Sequence, residues 1–328
     1  MTSEQLDATL RAFQESRILL TALELDVFTA LREGATADQV AARLGVLPRA
    51  LAALLNALVA MGLVEKSHGV YRNTPLASER LVEGAPGNDR PGMLHDAHRW
   101  HSWSRLTDIV RGVASPEEHR SLDTDRHRAL LAMLNRRAAE RAPTLVGMIG
   151  CDGVRRLLDI GGGSAAYSIA FVRSSPEIVA DVFDLPEVLP ITREYLAAAG
   201  ETSRVRLRAG DLLTDEFVSG DGEDRYDLIL LFSITHIISA EENQSLFARC
   251  HRALAPGGRL AIHDHVLSDD KTSPRAGAVF AINMLVATRA GGTYSMAEYD
   301  VWLRAAGFQS IERKPMPGAP TSLLIATA

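Results

Sequence analysis

From Cys151 onward, short apolar runs alternate with longer segments of helical period, and this alternation restricts the fold more than any other property of the chain. In order they are RRLLDIG, a helix from Ala165, IVADVFDLP, the helix VLPITREYLAAAG, VRLRAGDLL, YDLILLFSITH, the helix AEENQSLFARCHRALA, and GRLAIHDHVL. A helix between two strands returns the chain to the same end of the sheet, so the strands run parallel with helices on both faces. The end of the chain breaks the pattern. After the helix MAEYDVWLRAAG, the runs FQSIERKPM and TSLLIATA are joined by PGAP, which predicts an antiparallel hairpin closing an α/β sheet.

The first 90 or so residues read differently, as helices with one short hairpin. Leu6, Leu10, Phe13 and Leu20 share one helical face, interrupted by Arg17. GATADQVAARLGV predicts a helix after Thr36, and PRALAALLNALVAMG another, with Pro48 at its start and Gly62 past its end. LVEKSHGVYRNTP predicts two strands around His68-Gly69, completing a winged-helix pattern. A helix that reads DNA needs Arg, Lys, Asn or Gln toward the groove. Here only Arg49 and Asn56 stand among Ala, Leu and Val, so burial against a partner subunit is expected instead.

Charge and composition agree with that choice. A net charge of −6 and a pI near 5.9 give no bulk attraction for nucleic acid or an anionic membrane. The longest apolar stretch, LAALLNALVAMGLV, is broken by Asn56 and falls short of a membrane span, and the N-terminus has no signal-peptide pattern. Cys151 and Cys250 are far apart, as in a reducing compartment, so a cytoplasmic protein is expected. The expected domains are residues 1–92, winged-helix-like, and 93–328, a helical connector followed by the α/β sheet.

The stretch LLDIGGGSAAYS, Leu157 to Ser168, lies at the first strand-to-helix junction of the alternating half. Glycines permit a tight turn and let a ligand approach the backbone, and the following helix N-terminus favours a negative group. An acid about 20 residues on, at the end of the second strand, can hydrogen-bond a ribose diol. Asp184 in VFDLP stands there, and Asp211 in AGDLL ends the next strand. The glycine pattern alone suits NAD equally, or a tight turn with no ligand; the two acids favour a nucleotide.

NAD sites use a sheet of two nucleotide-binding halves, whereas this chain has one set of glycines and a C-terminal hairpin. It resembles the class I S-adenosylmethionine-dependent methyltransferases, specifically the small-molecule O-methyltransferases related to caffeate and hydroxyneurosporene methyltransferases. LLDIGGGSAAYS, DVFDLPEVLP, RAGDLLTD, YDLILLFSITHIISAEENQSLFARCHRALAPGGRLAIHDHVL and GGTYSMAEYDVWLRAAGF carry the resemblance, in family order and spacing. It implies a Rossmann-like methyltransferase sheet, an N-terminal dimerisation domain, a homodimer, and methyl transfer from S-adenosyl-L-methionine to a hydroxyl of a small aromatic metabolite. Asp159, Gly161 and Gly163 would meet the methionine part, Asp184 with Leu185 the ribose, and Asp211 with Leu212 the adenine, with Ser233 also at the cofactor.

The family's catalytic histidine falls on His236 in SITHII, and its two orienting acids on Asp264 and Tyr294. A neutral imidazole takes the phenol proton as the new bond forms. The chain departs from the family at Ala165, where a glycine is usual, at Ile237, where an acid is common, and at Ile238, where an aromatic stacks near adenine. Tyr294 cannot support an imidazolium as a carboxylate would, which keeps carbon methylation or another S-adenosylmethionine-using reaction open. His263 and His265 flank Asp264 and point to the opposite strand face, so no metal site is expected. The resemblance places Met93, Leu94, Trp103, Met133, Asn283 and Met284 on the acceptor pocket, with Leu94 pointing to an apolar acceptor. An NAD-dependent oxidoreductase and a ligand-sensing winged-helix regulator are the remaining alternatives.

Overall fold

A computed structural model describes residues 1–116, 124–218 and 225–328. The chain forms two compact units, Met1–His101 and Ser102–Ala328.

In the first unit, helices Ala37–Leu44 and Pro48–Ala60 pack with a three-stranded antiparallel sheet. Its strands are β1 (Ala35–Thr36), β2 (Val64–Ser67) and β3 (Val70–Asn73), in the order β1-β3-β2. The start signal read at Thr36 is a reciprocal cap: its hydroxyl accepts from Gln39 N, and Gln39 Oε1 accepts from Thr36 N. Leu23, Phe28, Leu31, Val40, Leu55 and Leu58 are fully buried and form this unit's core. The first amphipathic segment is two helices, Ser3–Arg11 and Phe13–Glu24, separated at Ala12. The break divides the apolar face: Leu20 is buried, whereas Leu6, Leu10 and Phe13 are at least half exposed. Asn56, one of two polar candidates for base contacts, is engaged within the unit. Its Oδ1 accepts from Tyr71 Oη and Lys66 Nζ, both at 2.9 Å.

The second unit is built on a seven-stranded sheet. Its parallel strands are β4 (Arg156–Ile160), β5 (Val179–Asp184), β6 (Val205–Ala209), β7 (Tyr226–Phe232) and β8 (Leu254–Asp264). A two-residue parallel ladder joins β9 (Val266–Leu267) to β10 (Tyr294–Ser295). The hairpin expected at the C-terminus is β11 (Ser310–Pro315) and β12 (Ser322–Thr327), with β12 antiparallel to β8. The order is β11-β12-β8-β7-β4-β5-β6. The inner strands β4, β5, β7 and β12 are buried on both faces and read as nearly continuous apolar runs, whereas the edge strands β6 and β11 carry charged, partly exposed residues. Along β7, Leu228 and Leu230 enter one core with Phe171 and Val172, while Ile229 and Leu231 enter the other with Phe247 and Tyr299.

From β4 the chain moves to β5 and β6 on one side and later to β7 and β8 on the other. Such a reversal opens a crevice at the carboxyl ends of the two strands where it occurs. Here these are β4, running into Gly161, and β7, running into Ser233. The two exits touch: a Cβ on Gly161, whose φ is +67°, would lie 2.3 Å from Ile234 Cδ1. Gly161→Ala is therefore expected to destabilise the protein by about 2–3 kcal/mol, through a left-handed alanine and overpacking. Ile234→Val, which removes Cδ1, should recover part of that loss in the double variant. Denaturant unfolding of the four proteins checks this; additive effects would show that the two residues do not meet.

Candidate active site

The glycine turn is left-handed at alternate positions: Gly161 (φ +67°), Gly163 (φ +54°) and Ala165 (φ +62°). Ala165 is fully buried as the cap of helix Ala166–Ser174, so the alanine standing where the family has glycine keeps a glycine-like backbone. Asp159, at 1 % exposure, accepts from Ser168 Oγ at 2.7 Å. Burial pushes its carboxyl up to about 6; the Ser168 hydrogen bond opposes this and the neighbouring Asp184 charge adds to it. Asp184 holds the turn from β5, its Oδ2 accepting from Gly163 N and its Oδ1 from Leu185 N, both at 2.8 Å.

Asp211 Oδ1 accepts from Leu213 N, and the loop it begins is gripped from beneath. The buried Arg249 donates to the carbonyls of Leu212 (2.6 Å) and Asp215 (2.8 Å). Asp159, Asp184 and Asp211 thus stand at the carboxyl ends of β4, β5 and β6. Ser233, just past β7, is exposed with φ +59°, and its N–H donates to His263 O.

His236 lies in a single 3₁₀ turn, Thr235–Ile237, held from several sides. Asn243, fully buried, donates from Nδ2 to Thr235 O at 2.9 Å, and Gly292 N donates to His236 O at 2.9 Å. Gly291 permits that approach, because a Cβ there would stand 2.3 Å from His236 O. His236 Nδ1 lies 2.8 and 2.9 Å from the two oxygens of Asp264, which is 2 % exposed. Asp264 also accepts from Thr235 Oγ1 (2.7 Å), His265 N (2.7 Å) and, more weakly, His236 N (3.3 Å). Burial alone would raise its pKa, but the imidazole beside it and these donors outweigh burial and bring it down to about 2.

Tyr294 does not join this pair. Its hydroxyl donates to Ile238 O at 2.5 Å and its ring packs edge-on against Trp302, at 4.9 Å between centroids. The expectation that it orients the imidazole beside Asp264 is corrected here, because its one hydroxyl proton is used on a backbone carbonyl. Ile238 itself is buried in the core with Leu246 and Phe247. His263 Nε2 is 2.8 Å from Thr321 Oγ1, and burial pushes its pKa down to about 4. His265 stacks on Phe280, with ring centroids 4.3 Å apart. Among the described residues, no three His, Cys, Asp or Glu side chains gather as a metal site.

The acceptor-pocket candidates divide between the units. Met93 and Leu94 pack against the core of the first unit. In the second, Trp103 Nε1 donates to Asn283 Oδ1 at 3.1 Å, Met284 is buried, and Met133 is half-buried. Three residues that the sequence reading did not single out belong here. Phe280 meets the His236 ring edge-on at 5.0 Å between centroids. Arg141, half-buried on helix Thr124–Ile149, exerts its charge on Tyr167, His263 and His265. Tyr299 contacts Thr235. Phe280 carries one sequence signal, since it lies three and four residues before Asn283 and Met284 on one helical face.

Comparison with known proteins places this geometry. The O-methyltransferase domain family matches residues 115–309, and the O-methyltransferase dimerisation domain family matches residues 8–83. The chain is 35% identical over 316 residues to the 3-hydroxy-5-methyl-1-naphthoate 3-O-methyltransferase of Streptomyces sahachiroi, covering 93% of this chain and 90% of that one. It is 30% identical over 328 residues to the tetracenomycin polyketide synthesis 8-O-methyl transferase TcmO of Streptomyces glaucescens, covering 94% and 92%. Among solved structures, PigF with SAH, a protein known from Serratia sp., superposes with a TM-score of 0.87 at 27% identity over 100% of both chains. Described residues include no single helix long and apolar enough to cross a membrane. The chain belongs to the S-adenosylmethionine-dependent O-methyltransferases, and it carries that family's catalytic and dimerisation domains.

Proposed function

We propose that this enzyme methylates a phenolic hydroxyl of a small, largely apolar aromatic metabolite, with His236 as general base. The observation that carries the reading is the Asp264–His236 pair. The carboxylate fixes the proton on Nδ1, which leaves Nε2 as the acceptor for a phenol proton. Two aromatic substrates, a hydroxynaphthoate and a polyketide, appear in the names of the relatives above, and the half-buried rings of Phe280 and Trp103 offer an apolar surface of matching kind.

The chemistry of the crevice fits S-adenosylmethionine. Three acids at consecutive strand ends suit a cationic amino acid and a ribose diol, and the amides of Gly163 and Leu185 fix the Asp184 carboxylate beside the glycine turn. Asp159 with Gly161 and Gly163 would face the methionine part, Arg141 its carboxylate, Asp184 and Leu185 the ribose, Asp211 and Leu212 the adenine, and Ser233 the edge between β4 and β7. When bound, this donor supplies a methyl group already activated on a sulfonium. The protein's own work is to hold the phenol in line and to remove its proton at His236 Nε2. Tyr294 serves by fixing the exit of the histidine turn. The exposed Leu10 and Phe13, with Leu6 just before them, support a homodimer formed through the segment that matches the dimerisation domain, residues 8–83. The two unpaired cysteines, Cys151 and Cys250, support a cytoplasmic location.

His236→Ala should lower kcat by about 10²–10⁴-fold while calorimetry shows S-adenosylhomocysteine binding unchanged. Turnover within a few-fold of wild type would mean that positioning alone suffices. A second test concerns Asp159. Its raised pKa means the folded protein holds a proton that the unfolded chain releases near pH 4. Stability is therefore lost as pH rises from about 4 to about 6, by roughly 3 kcal/mol in the ligand-free enzyme, and stays lost above that. Asp159→Asn should raise Tm at pH 7–8, flatten its dependence between pH 4 and 6, and weaken S-adenosylhomocysteine binding. A Tm at or below wild type across pH 6–8 would refute this account.

A further inference from the structure

Behind the His236–Asp264 pair lies a buried chain of two hydroxyls. Tyr299, on helix Met296–Ala305, brings Oη within 2.6 Å of Thr235 Oγ1, which stands 2.7 Å from Asp264 Oδ2. Tyr299 and Thr235 have no exposed surface. The protons have one arrangement. Asp264 is a carboxylate at neutral pH and only accepts. Thr235 must give it its single proton, so the bond between the hydroxyls uses the tyrosine's proton. Donation runs from Tyr299 to Thr235 to Asp264.

We propose that Thr235 and Tyr299 are positioning residues for methyl transfer, fixing the plane and the charge of the Asp264 carboxylate and through it the His236 imidazole. The proposal rests on His236 being the base. Each carboxylate oxygen has one firm donor besides the imidazole, Thr235 Oγ1 on Oδ2 and His265 N on Oδ1, which sets the plane in which Nδ1 meets both oxygens. Donors in series polarise one another. Without the Thr235 hydroxyl, Asp264 pulls harder on the Nδ1 proton. The imidazole then binds a second proton more tightly, and less neutral base is present at a given pH.

Other groups around the pair are accounted for. His263 and His265, on β8 and just past it, have pKa values pushed down by burial, and the Arg141 guanidinium on helix Thr124–Ile149 adds to that lowering in both. Helix Arg275–Ala287 presents the Phe280 ring, and helix Ala240–Ala253 the Asn243 amide. Tyr294 and Tyr299 have pKa values raised by burial and do not titrate near neutrality.

Thr235→Val, Thr235→Ser, Tyr299→Phe and the Val/Phe double variant of the full chain test the proposal by pH–rate profiles and by NMR titration of the His236 ring. Thr235→Val should lower kcat about tenfold with KM for S-adenosylmethionine within about twofold, and move both the acid limb and the imidazole pKa up by about half a unit. Thr235→Ser should restore both, and Tyr299→Phe should shift them the same way by less. The double variant should be no slower than Thr235→Val, since Tyr299 acts only through Thr235. An imidazole pKa unmoved in both Thr235→Val and Tyr299→Phe, or a double variant whose losses multiply, would overturn the relay. A fully active His236→Ala would defeat the base reading alone, because the NMR titration reads the relay without turnover. Each exchange is nearly isosteric, and Tyr299→Phe supplies the reading should Thr235→Val fold poorly.

Discussion

The Asp264 carboxylate, buried at the end of β8, organises this half of the molecule. An unpaired charge in that position would cost several kcal/mol. It is offset by the Thr235 hydroxyl, the His265 and His236 amides and the His236 imidazole, all aimed at two oxygens. Satisfying that one group ties β8 to the turn after β7. Asn243 and Gly292 then hold the turn's own carbonyls, so the imidazole has little freedom to turn. The pair is a consequence of strand order: β7 and β8 are parallel neighbours, so their carboxyl ends emerge side by side.

The same topology concentrates negative charge. Asp159, Asp184 and Asp211 all end parallel strands on one side of the reversal at β4, and Asp159 feels both burial and the charge of Asp184. That arrangement opposes stability in the free enzyme and suits a ligand that brings positive charge and hydroxyl donors. Close approach of backbone to backbone is part of the design. Gly161 admits Ile234, and Gly291 admits the His236 carbonyl. These glycines serve protein packing at the crevice as much as any ligand.

Much of this was legible in the residue order. The five apolar runs of the alternating half became the five parallel strands of the main sheet, and PGAP marked the closing hairpin, whereas the short β9–β10 ladder had no such signal. Thr36, Pro48 and His68-Gly69 sat where caps and turns require them. His236 and Asp264 were legible only through the resemblance of SITHII and AIHDHV to the family's motifs. Other features left no local trace. The break at Ala12 interrupts a smooth helical period, and its effect is to leave Leu6, Leu10 and Phe13 uncovered while Leu20 enters the core. Tyr294, read as a partner of the imidazole, turned instead to Ile238 O.

Alternation of apolar and helical segments by itself determined the fold class, and the glycine turn with the acids at strand ends marked where a nucleotide would sit, because hydrophobic period and glycine freedom are local properties; the strand order that opens the crevice between β4 and β7 belongs to the tertiary structure. Which hydroxyl meets which carboxylate was decided only in three dimensions. Thr235 and Tyr299 are 64 residues apart and each, read alone, is an unremarkable residue of a loop or helix. Their contact depends on helix Met296–Ala305 packing against helix Ala240–Ala253 and β10, and a hydrogen bond between buried groups is specified by that packing to within a fraction of an ångström, which no periodicity encodes.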